Sequence, residues 1–267
     1  MRIQVLGSSS SGNSALVETP ECKLLIDAGF SARQLKRLAK EAGESLDGLD
    51  AVLLTHEHSD HSAGLRGLAK TPGLSVFGNR GTLNGVRNKV TRPLSWKTFE
   101  TGTTFAFRDL RISTFSVPHD AADPVGYLLE WGDGTLFRPF RSLAWVTDLG
   151  YATDLVRQRI RQADLVVVES NHDVAMLEAD TGRPWSTKQR IKGRHGHLSN
   201  DAAFEWLRDS EGARWQKVWL AHLSRDCNCL EIVQNRFGDL ARERRWALEV
   251  IDPVGGRQPR CNLGVAS

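Results

Sequence analysis

A six-residue stretch, HEHSDH, constrains this chain more than any other feature. It follows directly on an apolar, strand-like run and supplies four potential metal ligands, His56, His58, Asp60 and His61. Imidazole nitrogens and carboxylate oxygens are ligands that suit zinc, manganese and iron. Residues two apart in an extended segment point to the same side, so His56 and His58 can bind one ion. A turn at Ser59 would then let Asp60 and His61 face a second ion.

Three more potential ligands, His119, Asp148 and His222, each come one or two residues after an apolar, strand-like run. In layered α/β folds, binding sites collect at the ends of strands. Each residue alone would more often be an ordinary polar side chain than a ligand. Five of the eight histidines fall into the combined set, however, and the set predicts a two-ion site in which Asp148 could bridge.

Short β-branched or apolar runs alternate with amphipathic stretches along the whole chain, which favours a mixed sheet covered by helices. The predicted strands are Arg2–Leu6, Lys23–Asp27, Ala51–Thr55, Arg111–Val117, Gly126–Glu130, Leu143–Thr147, Leu165–Glu169, Lys217–Leu220 and Trp246–Ile251. The predicted helices are Ala32–Ala42, Ala63–Ala69, Ala152–Gln162, Asn200–Asp209 and Leu230–Phe237, with Ser31 and Ser199 as N-caps. The basic segment Gly182–Gly196 is predicted to be a surface loop. No boundary is marked, so residues 1–267 are predicted to form one domain.

The ordered motifs resemble those of the metallo-β-lactamase superfamily, with Asp27 in LLIDAG as the first of five. The resemblance implies an α/β fold, an αββα sandwich of two mixed β-sheets with helices on the outer faces. It also implies two divalent metal ions per chain, manganese or zinc with iron as a further option. Asp27 would be a buried carboxylate that orients the metal-binding loop. The implied ligands are His56, His58 and His119 for one ion, Asp60, His61 and His222 for the other, and Asp148 between them.

A two-ion hydrolase needs no protein nucleophile, but its leaving oxygen needs a proton donor. Glu169 and His197 are similar in order to the acid pair of the phosphodiesterase branch, which includes transfer-RNA 3′-processing nucleases. The match departs at Leu198, inserted before Ser199, and at Val168, where that branch carries a histidine. The residues by themselves leave open a solvent-exposed carboxylate and an ordinary loop histidine. The predicted catalytic residues are Asp60, Glu169 and His197.

The segments GSSSSGNS, THEHSDH, ESNHD, GHLSN and HLSRDCN resemble the YycJ/WalJ-type bacterial metallo-hydrolases. That resemblance implies a DNA exonuclease working from the 5′ end, with DNA favoured over RNA. The net charge of +3 does not by itself require a nucleic-acid partner. The basic run from Lys188 to Arg194 could engage phosphates or be a solvated loop. The predicted substrate contacts are Ser11, Asn13, Arg194, Ser199 and Arg225.

Two other functions stay open on the sequence. One is a small-molecule hydrolase acting on a cyclic phosphodiester or a thioester, and the other is a non-catalytic metal-binding protein of the same fold. The apolar run at the N-terminus is too short to be the apolar region of a signal peptide. The four cysteines form no CxxC pair and are expected to be reduced thiols. A cytoplasmic protein without a membrane partner is therefore expected. The oligomeric state is left open.

Overall fold

The computed structural model describes residues 1–135 and 139–264, and within them two seven-stranded sheets lie face to face. The strands are β1 (Arg2–Ser9), β2 (Gly12–Glu18), β3 (Lys23–Ile26), β4 (Ala51–Leu53), β5 (Ser75–Asn79), β6 (Ser95–Phe99), β7 (Thr104–Phe107), β8 (Leu110–Ser116), β9 (Val125–Trp131), β10 (Arg141–Val146), β11 (Leu165–Glu169), β12 (Lys217–Ala221), β13 (Ala247–Val250) and β14 (Arg260–Asn262). The helices are α1 (Ala32–Glu41), α2 (Ser59–Ser62), α3 (Leu65–Leu68), α4 (Arg80–Arg87), α5 (Asp154–Ile160), α6 (Val174–Ala179), α7 (Trp185–Lys192), α8 (Asn200–Arg208) and α9 (Leu230–Arg244).

Both sheets are mixed, and each contains a parallel block. The first sheet has the order β14-β1-β2-β3-β4-β5-β6 and is parallel from β3 to β6. The second has the order β13-β12-β11-β10-β9-β8-β7 and is parallel from β10 to β13. Because the carboxyl ends of parallel strands meet at one edge, residues that follow neighbouring strands come together there.

The apolar residues of the strands are buried on both faces, as expected for parallel strands covered from two sides. In β11, Leu165 and Val167 face the core between the sheets, whereas Val166 and Val168 face the core beneath the helices. A third core lies between the first sheet and α1, where Leu35 is buried. This layering confirms the predicted αββα sandwich.

Most predicted elements are confirmed, with ends that shift by a few residues. The hydroxyls of Ser31 and Ser199 cap α1 and α8 as predicted, accepting hydrogen bonds from backbone amides in the first turn. The predicted helix Ala63–Ala69 is shorter and corresponds to α3 alone, whereas the unpredicted α2 forms at Ser59–Ser62, where a turn was expected. Helix α9 continues past Phe237 and ends at the left-handed Arg245. Strands β2, β5, β6, β7 and β14 and helices α4 and α6 were not predicted.

The prediction of a loop at Gly182–Gly196 is wrong, because α7 forms there. None of the eight described residues of α7 is buried, so the helix shows no apolar stripe in its sequence. Two of its three cations pair with neighbouring acids: Arg190 lies 3.0 Å from Asp120 and Lys192 lies 3.1 Å from Glu178.

In the part of the chain that the structure describes, every helix is too short or too polar to cross a lipid bilayer.

Candidate metal centre

Residues that follow β4, β10 and β12, which belong to the parallel blocks, converge on one buried centre together with His119, which follows the antiparallel β8. Within the described residues, groups of three or four side chains hold their ligand atoms within 4.8 Å of one another. The groups are His56, His58 and His119; His56, His61 and Asp148; Asp60, His61 and His222; and Asp148, Glu169, His197 and His222. Every residue predicted as a metal ligand is therefore found at this centre.

Asp148 lies in the middle of the centre. Its two carboxylate oxygens are each 3.3 Å from one imidazole nitrogen, Nε2 of His61 and Nε2 of His222. One of them is also 3.9 Å from Nε2 of His119. The carboxylate thus stands between the triad His56–His58–His119 and the group formed by Asp60, His61 and His222.

Three polar atoms of the centre are buried without a hydrogen-bond partner among the described residues: Nε2 of His56, Nε2 of His222 and Oδ2 of Asp148. An unsatisfied buried polar group costs about 1–3 kcal/mol, so such atoms normally have a partner. Imidazole nitrogens and carboxylate oxygens in this number are the donor set of zinc, manganese and iron sites. The residues of this centre therefore fit a divalent metal ion.

Asp27 is a fully buried carboxylate behind the first-sheet side of the centre. It accepts hydrogen bonds from the backbone amide of Thr55 at 2.8 Å, from the Thr55 hydroxyl at 2.9 Å and from Nδ1 of His61 at 2.8 Å. Because Nδ1 is engaged, the Nε2 atom of His61 is the one left for the centre. Burial opposes the charged form of His61, but the carboxylates of Asp148 and Asp27 outweigh it and raise its pKa well above the ordinary value.

Close packing holds the metal-binding loop against the end of β3. A Cβ atom at Gly29 would lie 1.6 Å from the carbonyl oxygen of Asp60, so only glycine fits at this approach. The amide of Ala28 also donates to the carbonyl of His61 at 2.8 Å. The loop is therefore held against the end of β3 by both close packing and a hydrogen bond.

Glu169 is the corresponding carboxylate on the second-sheet side, and it is also fully buried. One oxygen accepts from the amides of Leu149 and Leu198, at 2.9 and 3.3 Å. The other lies 2.7 Å from Nδ1 of His197 and 2.8 Å from Nδ1 of His222. Burial alone would raise the pKa of Glu169, but the two imidazoles lower it to about 2. The alternative of a solvent-exposed carboxylate is thereby excluded.

The backbone of the centre is unusual at three positions. Asp27, Asp148 and His222 have φ values of 59°, 59° and 57°, in the left-handed region. This conformation costs an L-residue with a side chain roughly 1–2 kcal/mol. Such strain concentrates at functional sites, where the surrounding structure holds it in place.

A cleft of about 270 Å³ opens beside the centre. Helix α7 forms part of its wall through Thr187, Arg190 and Ile191, with Arg183 just before the helix. His197, whose side chain is 17% exposed, also lines it. The cleft therefore brings several of the predicted metal ligands together with the imidazole of His197 and the guanidinium groups of Arg183 and Arg190.

The five predicted substrate contacts are not among the described residues that line this cleft. Asn13 is buried, with its amide nitrogen 3.0 Å from Nε2 of His61, and Ser199 caps α8. The guanidinium of Arg194 lies over the Tyr151 ring at 4.6 Å from its centroid. Ser11 lies exposed in the turn before β2, and Arg225 binds the carbonyl of Pro253.

Sequence reasoning missed three residues that support the centre. The Ser8 hydroxyl accepts from the amide of His222 at 3.0 Å and so connects the two sheets. The Asn171 amide donates to the carbonyl of His222 at 2.8 Å. Glu57 accepts from the amide of Ala122 at 2.8 Å, which ties the metal-binding loop to the loop after His119. Ser8, Glu57 and Asn171 lie within the sequence segments GSSSSGNS, THEHSDH and ESNHD, and their place in these segments is the sequence signal that could have identified them.

The chain matches a family model described as "Beta-lactamase superfamily domain" over residues 23–222. It is 37% identical over 251 residues to "Exodeoxyribonuclease YycJ" of Bacillus anthracis, covering 93% of this chain and 92% of the relative. It is 37% identical over 236 residues to "Exodeoxyribonuclease WalJ" of Streptococcus pneumoniae, covering 86% and 84%. Zinc-bound PqqB from Methylobacterium extorquens superposes with a TM-score of 0.74 at 20% identity, covering 98% of this chain and 100% of that chain.

Proposed function

Since the chain belongs to the metallo-β-lactamase superfamily, as a metal-dependent hydrolase of the YycJ/WalJ type, we propose that it is a DNA exonuclease that works from the 5′ end. The observation that carries the proposal is the His197–Glu169 pair at 2.7 Å beside a centre for divalent metal. Two relatives named exodeoxyribonucleases, each matched over more than four fifths of its length, support DNA as the substrate. We further propose that residues 1–267 act as one domain.

Two ions are proposed, manganese or zinc with iron as a further option. His56, His58 and His119 would hold one, Asp60, His61 and His222 the other, and Asp148 would bridge them. Divalent ions in such a site lower the pKa of a coordinated water and neutralise charge that develops on a phosphate. Asp60 would have a catalytic role through its place at the second ion.

His197 is proposed as the general acid. Its Nδ1 donates to Glu169, so the transferable proton is held at Nε2. The buried Glu169 carboxylate accepts this hydrogen bond and keeps the ring in one orientation. In the reaction, the oxygen of a water molecule forms a bond to phosphorus as the bond between phosphorus and the leaving oxygen breaks, and the leaving oxygen takes the proton from His197 Nε2. The proton that the water gives up then restores the proton of His197. Glu169 is then a positioning residue, because it acts through His197.

The cations of the cleft are proposed to bind the phosphate that is cleaved. Arg190 is held by Asp120 at 3.0 Å and Arg183 by Asp226 at 2.7 Å. Each guanidinium is thus oriented at the cleft, where it can donate to phosphate oxygens in a fixed geometry.

The narrowness of the cleft, about 270 Å³, keeps a small phosphodiester as a second candidate substrate. Ligand sites of drug-sized molecules are typically about 300–1,000 Å³, so a single nucleotide unit fits the space. A free cyclic phosphodiester and the terminal nucleotide of a DNA strand would both satisfy this limit.

The test is incubation with Mn²⁺ and duplexes labelled at either the 5′ or the 3′ end, comparing wild type with His58→Ala. A 5′-directed exonuclease releases labelled mononucleotide at once from 5′-labelled strands and shortens 3′-labelled strands stepwise. His58→Ala is expected to lose metal and activity together. Intact duplexes beside rapid turnover of a cyclic phosphodiester would replace the proposed function with the second candidate.

A further inference from the structure

A second groove, of about 1,020 Å³, lies on the outer side of the first sheet, next to α1 and α3. Its lining is strongly cationic. Among the described residues that line it, Asp47 is the one carboxylate, against five basic side chains. The basic residues are Arg33, Lys36, Arg66, Lys70 and Arg92.

The five cations are exposed and have no carboxylate oxygen within 4.0 Å in the described part of the chain. This is the reverse of α7, where Arg190 and Lys192 are paired with acids. Unpaired like charges around one groove repel each other and produce a positive potential there. A bound polyanion would relieve this repulsion.

The walls of the groove are set by close packing. A Cβ atom at Gly67 would lie 2.5 Å from the Cβ of Ala32, so glycine lets α3 lie directly against the start of α1. The amide of Gly64 donates to the carbonyl of Ala28 at 2.7 Å. The cations therefore project from a backbone that is already in place before any ligand binds.

The groove begins next to the metal-binding loop. Ala63 lines it, and Ala63 directly follows α2, which carries Asp60 and His61. Ser31, the N-cap of α1, lines it as well. A strand whose terminal phosphate lies at the metal centre can thus continue over the groove.

We propose that this groove binds the phosphate backbone of duplex DNA whose end is held at the metal centre. The inference rests on the proposed nuclease function for the identity of its substrate. Contacts of lysine and arginine to phosphates position a duplex and carry little sequence information. The groove therefore raises affinity for long duplexes of any sequence and leaves the chemistry at the centre unchanged.

The experiment measures the dissociation constant of a fluorescent, phosphorothioate-linked long duplex against salt concentration, in Mn²⁺. The test variant is Lys36→Gln with Arg66→Gln, and the matched control is Lys40→Gln with Arg159→Gln. Lys40 and Arg159 are exposed and lie outside the residues that line the groove. Each lost phosphate contact reduces the slope of log affinity against log salt by about 0.9, so the test variant should lose about 2 units of slope and bind on the order of 10-fold more weakly.

Turnover of a chromogenic thymidine phosphodiester, too short to reach the groove, should be unchanged in both variants. Equal slopes of log affinity against log salt for the test variant and wild type would overturn the proposal. The cationic groove would then be assigned to binding an acidic protein surface. Equal losses in both variants would also overturn it, because the effect would then belong to total charge. A wild type that binds the long duplex with the expected slope but does not cleave DNA would reject the nuclease function alone.

Discussion

The two sides of the metal centre rest on the same device, a buried carboxylate at the end of a parallel strand. Asp27 follows β3 and engages His61, while Glu169 ends β11 and engages His222. The difference is what else each carboxylate holds. Asp27 engages Thr55, which is buried, whereas Glu169 engages His197, which lines the cleft. Asp27 engages only residues on the proposed metal-binding side, whereas Glu169 engages both a proposed metal ligand, His222, and the proposed general acid, His197.

Glu169→Gln is expected to produce the largest loss. The substitution keeps the size of the side chain but removes the charge that stabilises His197 and His222. The acid function and the metal affinity should both suffer, and turnover at limiting Mn²⁺ should fall by at least about 10³-fold. Steady-state kinetics across a range of Mn²⁺ measures this.

Added Mn²⁺ should restore only part of the activity of Glu169→Gln. Glu130→Gln is the matched control, because Glu130 lies on the same sheet and pairs with Arg111 at 3.3 Å. Full recovery of Glu169→Gln at high Mn²⁺ would show that Glu169, like Asp27, supports metal binding only, and would contradict the comparison.

His197→Ala isolates the function that only the Glu169 side has. Metal content should stay at the wild-type level, while turnover of DNA falls about 10²–10⁴-fold, the usual contribution of a general acid. A substrate that releases p-nitrophenolate needs no proton on its leaving oxygen and should lose far less. An equal loss on both substrates would remove His197 from the role of acid.

Asp27→Asn isolates the function that the two sides share. Loss of the charge beside His61 should weaken metal affinity about 10–100-fold, as for other groups that orient metal ligands. Turnover at saturating Mn²⁺ should return to within a few-fold of wild type. Metal titration followed by kinetics measures both quantities, and a thermal melt of the metal-loaded variant checks that it is folded. A turnover defect that excess metal does not repair would contradict the comparison.

Thr55→Val is the mildest change on the Asp27 side. Valine keeps the shape but removes a hydroxyl that donates to Asp27 at 2.9 Å and lies 3.0 Å from Nδ1 of His56. A lost hydrogen bond of this kind is worth about 1 kcal/mol, so metal affinity should fall roughly fivefold. Calorimetric titration would detect this. No comparable variant exists on the Glu169 side, because the corresponding hydrogen bonds to Glu169 come from the backbone amides of Leu149 and Leu198. A side-chain substitution does not remove a backbone amide.

The layered fold and the membership of the centre were predictable because both depend on local patterns. Apolar runs such as Leu165–Val168 indicate strands that are covered on both faces. The predicted ligands His119, Asp148 and His222 each follow such a run within one or two residues. Helix α7 was not predictable in this way, because exposed helices carry no apolar stripe. The cationic groove was missed for a different reason: Arg33, Lys36, Arg66, Lys70 and Arg92 are scattered in sequence and meet only in the fold.

The geometry behind the ligands also required the structure. That Glu169 contacts His222 depends on the parallel register of β11 with β12, where Glu169 pairs with Ala221 just before His222. Its contact with His197 depends on the loop before α8, where the amide of Leu198 donates to Glu169 and the carbonyl of Leu198 accepts from Asn171. The sequence contained the residues but not this alignment. The predicted substrate contacts Arg194 and Arg225 do not line the cleft. The guanidinium of Arg194 instead packs over the ring of Tyr151, and that of Arg225 donates to the carbonyl of Pro253.

The left-handed backbone at Asp27, Asp148 and His222 costs this protein thermal stability, and the side chains that would have to be replaced to recover it are those of the proposed active centre. Glycine or asparagine adopts that conformation more readily, so a substitution such as Asp148→Gly would relax the backbone while removing the carboxylate at the middle of the centre. Screens that select only for survival at high temperature should therefore enrich inactive variants at these positions. Lineages that no longer need the reaction would be expected to drift in the same direction.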